Sequence, residues 1–167
     1  FGVGGKVTTN FASYNDFANA VAIQPDGKIV AAGVSSQGSY QAVALSRYCA
    51  DGRLDDGASC GAGGFGSNGK VVTAMPGGGF SRGFATGIAL QPDGKIAVAG
   101  FSGATFALAR YCHDGRLDNG VNCGAGGFGG GGMVTTAFAG GSADARALAL
   151  QADGKLVAAG STGPTGS

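Results

Sequence analysis

The stretch that decides the fold is Gln24-Pro25-Asp26-Gly27-Lys28-Ile29-Val30-Ala31-Ala32-Gly33, because it returns twice, as residues 91–100 and residues 151–160. In each copy a turn sequence separates two short apolar runs. Proline fixes φ at about −65° and glycine accepts positive φ, so this turn predicts a tight β-hairpin. Ala152 replaces the proline in the third copy, which keeps the Asp-Gly pair. We therefore predict three equivalent hairpins.

Two further blocks recur around this hairpin. The first, residues 1–9, returns as residues 65–73 and in a looser form as residues 128–136, whereas the block Ala44-Leu45-Ser46-Arg47-Tyr48-Cys49 returns only once, at residues 107–112. Self-similarity at a period of about 60 residues is typical of propellers and solenoids, whose units bury their apolar faces against one another. The predicted units are 1–64, 65–127 and 128–167, the last one truncated and missing its final strand.

Each full unit is predicted to contain four short strands. In the first unit they cover residues 6–11, 20–23, 29–32 and 41–48, where β-branched or alternating apolar residues occur between turn signals. A four-stranded antiparallel unit of this kind fits a β-propeller blade, and propellers have about 4–8 blades. We therefore predict an all-β fold of stacked blades, in a partial ring or a ring completed by other copies. A β-trefoil, also built from three four-stranded units, is the alternative.

Composition excludes several classes of protein. The 36 glycines and 4 prolines among 167 residues disfavour a helical bundle, and 44% hydrophobic residues indicate a chain that can form a core. The net charge is +1 and the basic residues are scattered, so we expect no nucleic-acid partner. No apolar run is long enough for a membrane-spanning helix. Because the chain starts at Phe1 without Met, we expect a processed or excised piece.

The order of these motifs carries a family resemblance. The chain contains F-G-x-G-G-K-V-T-T, then Q-P-D-G-K-I-V-x-A-G, then A-L-x-R-Y-x-x-D-G-x-L-D. This order resembles the bacterial delta-60 repeat, a tandem repeat of largely uncharacterised and mostly secreted or surface proteins. The resemblance implies a propeller-like fold. In this chain the stretch between D-G-x-L-D and the next F-G is lengthened and carries cysteines.

The four cysteines fall at equivalent places in two units, as Cys49 with Cys60 and Cys112 with Cys123. Pairing within each unit is the economical interpretation, and closing such a loop of about 12 residues stabilises the fold by about 3 kcal/mol. Zinc ligation and free thiols are the alternatives, although the short C-x₂₋₄-C spacing of zinc sites is absent from the sequence. Two disulfides predict an oxidising compartment, and hence an extracellular or cell-surface protein.

The cysteine loops also carry the densest acidic groups. Carboxylate and amide oxygens at short spacing are the ligands that Ca²⁺ takes. The candidate calcium ligands are Asp51, Asp55, Asp56, Asp114, Asp118 and Asn119. Ordinary Asx turns are the alternative explanation, because Asp-Gly pairs are strong turn formers and this spacing differs from that of the EF-hand loop. Apart from possible calcium, we predict no cofactor.

Nothing in the sequence predicts catalysis. Acidic residues recur in the repeated Asp-Gly turns and the Arg-Tyr pair recurs in the strands, so structure explains them better than one active site does. Tyr40, Phe80 and Phe84, in variable segments, are the candidate ligand contacts. We predict a non-enzymatic, structural or adhesive module whose open sheet edges join other copies or further repeats into a ring or filament. A calcium- or carbohydrate-binding propeller, with protein or glycan ligands, and a fragment of a larger secreted hydrolase are the alternatives.

Overall fold

The computed structural model describes residues 1–11, 14–61, 63–76 and 83–164. Within these ranges the chain forms β-strands, turns and loops without a helix. The strands, in chain order, are β1 (Asp16–Ile23), β2 (Ile29–Ser36), β3 (Gln41–Tyr48), β4 (Lys70–Thr73), β5 (Gly83–Leu90), β6 (Ile96–Ser102), β7 (Thr105–Tyr111), β8 (Met133–Thr136), β9 (Ser142–Leu150) and β10 (Leu156–Gly163). No helix in the described ranges is long and apolar enough to cross a membrane.

The strands form three antiparallel sheets. The first sheet has the order β1-β2-β3-β4, the second β5-β6-β7-β8, and the third consists of β9 and β10. The predicted Asp-Gly hairpins connect β1 to β2, β5 to β6 and β9 to β10. In the first of them, two backbone hydrogen bonds close the turn. Gln24 N–H donates to Lys28 O over 2.8 Å, and Gln24 O accepts from Gly27 N–H over 2.9 Å. All three predicted hairpins are confirmed.

The fourth strand of each complete sheet comes from the following sequence repeat. In the first sheet, β4 pairs with β3 so that Val71 lies opposite Leu45, and β8 pairs with β7 in the same way. The sheets are therefore offset from the sequence units 1–64, 65–127 and 128–167. Our prediction of a strand at residues 6–11 is wrong, because Lys6 forms an isolated bridge with Val3 and residues 7–11 are not in a strand. In the described ranges, the third sheet lacks both its third and its fourth strand.

The sheets stack face to face. Strand β5 packs against β1, β2 and β3, while β9 packs against β5, β6 and β7. The main core lies between the first and second sheets, where Val30, Leu45, Phe65, Ile96 and Tyr111 are fully buried. Consecutive four-stranded meanders that stack in this way are β-propeller blades. The β-trefoil alternative is wrong, because the sheets share no paired strands, whereas trefoil hairpins pair into one barrel.

A bulge near one end of each hairpin explains the conserved position of a glycine in the three repeats. The register between β1 and β2 shifts between Ala18 and Ala20, which leaves Asn19 as the extra residue. A Cβ on Gly33 would collide with the backbone carbonyl of Phe17 across the hairpin. The same collision would occur at Gly100 with Phe84 and at Gly160 with Asp144. Only glycine allows this close approach of the two strands.

Candidate functional site

The predicted disulfides are present in both complete repeats. Cys49 is bonded to Cys60 and Cys112 to Cys123, with a Cα–Cα distance of 5.3 Å in each pair. No cysteine in the described residues is free. Each disulfide ties the end of a third strand to the loop that precedes the next Phe-Gly motif. The two loops are therefore anchored in equivalent positions beside the outer part of the sheets.

One predicted calcium ligand, Asp55, lies in a buried ion cluster of the first repeat. Its Oδ2 atom accepts a hydrogen bond from Arg47 Nε over 2.7 Å and lies 3.0 Å from Lys28 Nζ. Only 4% of the Arg47 side chain is exposed, and its guanidinium lies 4.8 Å from the centre of the Phe65 ring. The guanidinium also donates to the carbonyl oxygens of Gly63 and His113. Two cations and one aromatic ring thus surround this carboxylate.

The second repeat has the same cluster around Asp118. Its Oδ2 atom lies 2.7 Å from the guanidinium of Arg110 and 3.8 Å from Lys95 Nζ. The Arg110 guanidinium lies 4.9 Å from the centre of the Phe128 ring, and 16% of its side chain is exposed. In the second cluster the lysine therefore lies farther from the carboxylate, and the arginine is more exposed to solvent, than in the first. Because each cluster holds a carboxylate beside two cations, the clusters give a structural explanation for the repeated arginine and for the repeated aspartate of the Leu-Asp motif.

The remaining candidate calcium ligands make local turns. Asp51 accepts hydrogen bonds from the backbone and side chain of Arg53, which lower the pKa of its carboxyl group. Backbone N–H groups of Ser59 and Ala58 lower the pKa of Asp56 in the same way. Asp114 loses hydration by burial, but the hydrogen bonds from Arg116 outweigh this effect and lower its pKa. Asn119 accepts from the N–H groups of Val121 and Asn122. The Asx-turn explanation accounts for these contacts.

The described residues contain no group of three or more His, Cys, Asp or Glu side chains placed to hold a metal ion. In the two ion clusters, Oδ1 of Asp55 and Oδ1 of Asp118 are buried and meet no hydrogen-bond partner within the described ranges. One free oxygen per cluster is far from the six to eight that Ca²⁺ requires. Calcium binding stays a prediction, and the six candidate ligands do not converge on one site.

The three candidate ligand contacts lie apart. Tyr40 is 42% exposed, between β2 and β3. Phe84 is half-buried in β5 and stacks on Phe101 of β6, with ring centroids 4.9 Å apart. Phe80 lies outside the described residues. Phe84 therefore contributes to a cross-strand pair, and Tyr40 is the more exposed of the two described candidates.

The bulges carry inter-sheet contacts that the sequence did not predict. The bulged residue Asn19 donates from Nδ2 to the carbonyl oxygen of Ala85 in the second sheet over 3.0 Å. The equivalent residue, Thr86, donates to the carbonyl oxygen of Ala145 in the third sheet over 2.5 Å. A signal was present, because a polar residue recurs at this position of an otherwise apolar strand. These two bulges thus link the first sheet to the second and the second sheet to the third.

The outward face of the first sheet carries two strongly exposed large apolar side chains. Val21 is 65% exposed and Ile23 is 69% exposed, both on β1. Their equivalents on β5, Ile88 and Leu90, pack against the core between the first two sheets. The same side chains are therefore covered where a preceding sheet is present and exposed where none is described.

Residues 1–9 cover another part of this outward face in the manner of a fourth strand. Gly2 N–H donates to Asp51 O over 2.7 Å, and Gly66 N–H makes the equivalent bond to Asp114 O over 2.8 Å. Similarly, the hydroxyl oxygens of Thr9 and Tyr48 lie 2.7 Å apart. This segment thus occupies the place that a fourth strand of a preceding sheet would take.

Two parts of the chain match a β-propeller family model. A family model described as a domain of unknown function (DUF5122) β-propeller matches residues 24–57 and 91–120. Both matches run from a hairpin turn through the third strand into the loop that holds the buried carboxylate. The comparisons with curated proteins and with solved structures found no match. The match agrees with the stacked four-stranded sheets, and the fold is an all-β assembly of propeller blades.

Proposed function

We propose that this chain is a non-enzymatic, structural or adhesive propeller module of the delta-60 type, which acts outside the cell by stacking on further units with the same repeat. The observation that carries the proposal is the exposure of Val21 and Ile23 on the outward face of the first sheet. Ile88 and Leu90, at the equivalent positions of the second sheet, are packed between sheets. The sequence therefore maintains a stacking face on the first sheet as well as on the second.

The third sheet presents the complementary surface. Val157 on β10 is exposed, whereas Val30, the equivalent residue on β2, is fully buried against the second sheet. Arg146 occupies the bulge position that Asn19 and Thr86 use to bond to the following sheet, and its guanidinium is largely exposed beside Asp144. The two outward faces thus carry opposite halves of the contact found between the internal sheets. Repeating that contact between copies is a head-to-tail association, which closes into a ring or continues as a filament.

The free energy gained by burying these side chains must exceed the entropy cost of association. Full burial of an apolar side chain such as Val21 or Ile23 contributes about 1.5–3 kcal/mol. Association opposes this gain with about 4–15 kcal/mol of lost translational and rotational freedom. Two side chains alone therefore cannot hold two copies together. Stable assembly also needs the backbone edge of β10 that has no paired strand in the described part of the chain, where a partner strand can add to the sheet.

The polar residues of the repeats support a structural role. Asp55 and Asp118 each neutralise buried or half-buried cations in equivalent clusters. A catalytic group is useful once per site, whereas a fold-stabilising group is useful in each unit. The two disulfides support action in an oxidising compartment, since cytosolic thiols are kept reduced.

Sedimentation velocity over a range of concentrations tests the proposal. We expect the average mass of the wild-type chain to rise with concentration. Val21→Asp places a charge in the stacking face, so this variant is expected to stay monomeric. Val121→Asp is the matched control, because Val121 is exposed in the second disulfide loop, away from both faces. A wild-type chain that remains monomeric up to millimolar concentration, or equal association of the Val21→Asp variant, would contradict the proposal.

A further inference from the structure

A groove of about 540 Å³ lies between the outer half of the second sheet and β10 of the third sheet. Its walls are mainly apolar. They include Phe106, Leu108, Val134 and Phe138 on one side and Leu156 and Ala158 on the other. The groove runs beside the edge of β10 that has no paired strand within the described residues.

The equivalent space between the first and second sheets is filled by β7. This strand pairs with β6 and directs Ala107, Ala109 and Tyr111 into the core between the sheets, where all three are buried. The walls there are formed by residues equivalent to those of the groove, such as Leu45 and Ile96. The groove is therefore the binding place of a third strand, with the strand absent from the described chain.

Three polar contacts fix β7 and the turn after it in the filled position. Tyr111 Oη donates to Thr73 Oγ1 over 2.8 Å, and the Arg47 guanidinium donates to His113 O. In addition, Gly66 N–H donates to Asp114 O over 2.8 Å. These contacts join the incoming strand to the fourth strand, the ion cluster and the Phe-Gly motif of the preceding sheet.

The equivalent groups lie at the groove, because Thr136 and Arg110 line it and Gly129 directly follows Phe128 of its wall. Thr136, Arg110 and Gly129 stand at the positions equivalent to Thr73, Arg47 and Gly66. Within the described ranges, the Thr136 hydroxyl, Arg110 Nη1 and the Gly129 N–H make no hydrogen bond, although Arg110 uses Nε and Nη2 in its own cluster. One acceptor and two donors thus point to an extended chain with a tyrosine followed by two backbone carbonyl groups.

A lysine beside the groove adds a positive charge to these hydrogen-bonding groups. Lys95 is largely buried and lies 3.8 Å from Asp118, which follows β7 in the same repeat. Lys155, its equivalent beside the groove, is largely exposed and pairs only with the neighbouring Asp153. A segment that continued past its tyrosine to an aspartate, as β7 continues to Asp118, would place that carboxylate near Lys155.

We propose that the groove is a strand-acceptor site for an extended segment with the pattern of residues 105–118: small residues alternating towards the core, a tyrosine, a tight Asp-Gly turn and a terminal aspartate. The segment adds to the edge of β10 as β7 adds to β6. This inference rests on the proposed function, in which units join through open edges, and it names the segment that the edge accepts.

A synthetic peptide tests the site. It has the sequence of residues 105–118 with Ser in place of Cys112, carries a fluorescent label, and is titrated with the intact chain at concentrations below self-association. We expect saturable binding, with at least about a tenfold loss when Ala replaces the tyrosine, since buried aromatic anchors dominate such interfaces. Absence of binding, or equal binding of a peptide with a scrambled sequence, would overturn the proposal.

Protein variants locate the binding. Phe138→Ala is expected to weaken the wild-type peptide about fivefold, because it removes one wall of the groove. Tyr40→Ala is the matched control, since Tyr40 and Phe138 are both 42% exposed and Tyr40 lies outside the groove. Equal effects of the two substitutions would contradict the assignment of the site.

A second variant avoids dependence on the folding of Phe138→Ala. Thr136→Val removes the hydrogen-bond acceptor from an exposed position. It is expected to weaken the tyrosine peptide several-fold and to leave a peptide with Phe at that position unchanged. Equal effects on the two peptides would refute the predicted contact. Peptide binding by a chain that stays monomeric would contradict the proposed function alone, whereas self-association without peptide binding would contradict this inference alone.

Discussion

Removing the carboxylate of Asp55 tests the structural role of the buried ion clusters. Asp55 is fully buried, and its Oδ2 atom lies 2.7 Å from Arg47 Nε and 3.0 Å from Lys28 Nζ. Asp55→Ala would leave the guanidinium buried without a counter-ion. Breaking a buried pair in this way is destabilising by about 3–5 kcal/mol. Since only 4% of the Arg47 side chain is exposed, we expect a loss near the upper end of that range.

The second repeat supplies a matched comparison within the same chain. Asp118→Ala removes the equivalent carboxylate, but Arg110 is 16% exposed and Lys95 is more distant, at 3.8 Å. Water can solvate this guanidinium in part, so the loss is expected near the lower end of the range, at about 3 kcal/mol. Asp51→Ala, at an exposed ion pair that water screens, is expected to destabilise the fold least of the three.

Urea unfolding with the disulfides intact measures these differences. Far-ultraviolet circular dichroism follows the sheets, and tyrosine fluorescence reports tertiary structure because the chain contains no Trp. The expected order of destabilisation is Asp55→Ala, then Asp118→Ala, then Asp51→Ala. Equal stabilities of the Asp55→Ala and Asp51→Ala variants would refute the structural role of the cluster. The reverse order of the two buried positions would refute the argument from exposure.

Three other variants test separate parts of the structure. Burial raises the pKa of Tyr111 despite its hydrogen bond, so the unfolded chain ionises first and the free energy of unfolding falls as pH rises above about 10. Urea unfolding at several pH values should show a smaller fall for Tyr111→Phe than for the wild type. The same fall in both proteins would contradict this prediction. Thr86→Val removes the hydroxyl that donates to the carbonyl oxygen of Ala145 and should lower the free energy of unfolding by about 0.5–1.5 kcal/mol, whereas an unchanged urea midpoint would exclude the contact. Replacing Cys112 and Cys123 together by Ser should lower it by about 3 kcal/mol, and a thermal midpoint equal to wild type would show that the loop is held by other contacts.

Much of the fold followed from local chemistry. The Asp-Gly turns define the hairpins, and the alternating residues at 41–48 define β3, because both signals act over a few residues. The cysteine spacing likewise predicted the two disulfides. These features depend on chain segments that lie next to each other in sequence, where turn geometry and side-chain alternation have direct consequences.

The offset of the fourth strands did not follow from the repeats. A repeated sequence gives the period but does not say where a sheet begins, so residues 6–11 were predicted as the first strand of a unit. In the structure the equivalent segment, β4, completes the preceding sheet. The position of the fourth strand depends on the pairing of β3 with β4. These strands are separated by a long loop, so no local sequence pattern indicates that they pair.

The roles of the acidic residues were also hidden. Asp55 and Asp56 are adjacent in sequence, yet one is buried against cations and the other caps an exposed turn. Their difference arises from the fold of the disulfide loop over Arg47. Charge spacing alone therefore left calcium ligation and Asx turns as alternatives, whereas the three-dimensional arrangement provides cationic partners for the buried carboxylate.

Hydroxyl-radical footprinting with mass spectrometry tests the stacking of equivalent faces most directly, because it reports the exposure of individual side chains. In dilute solution, Val21 and Ile23 should be modified rapidly, while Leu45 and Ile96 should be protected. At high concentration, protection should spread to Val21 and Ile23 and leave Val121 reactive. Val21 and Ile23 that are protected in the monomer, or that remain fully reactive at all concentrations, would contradict the account.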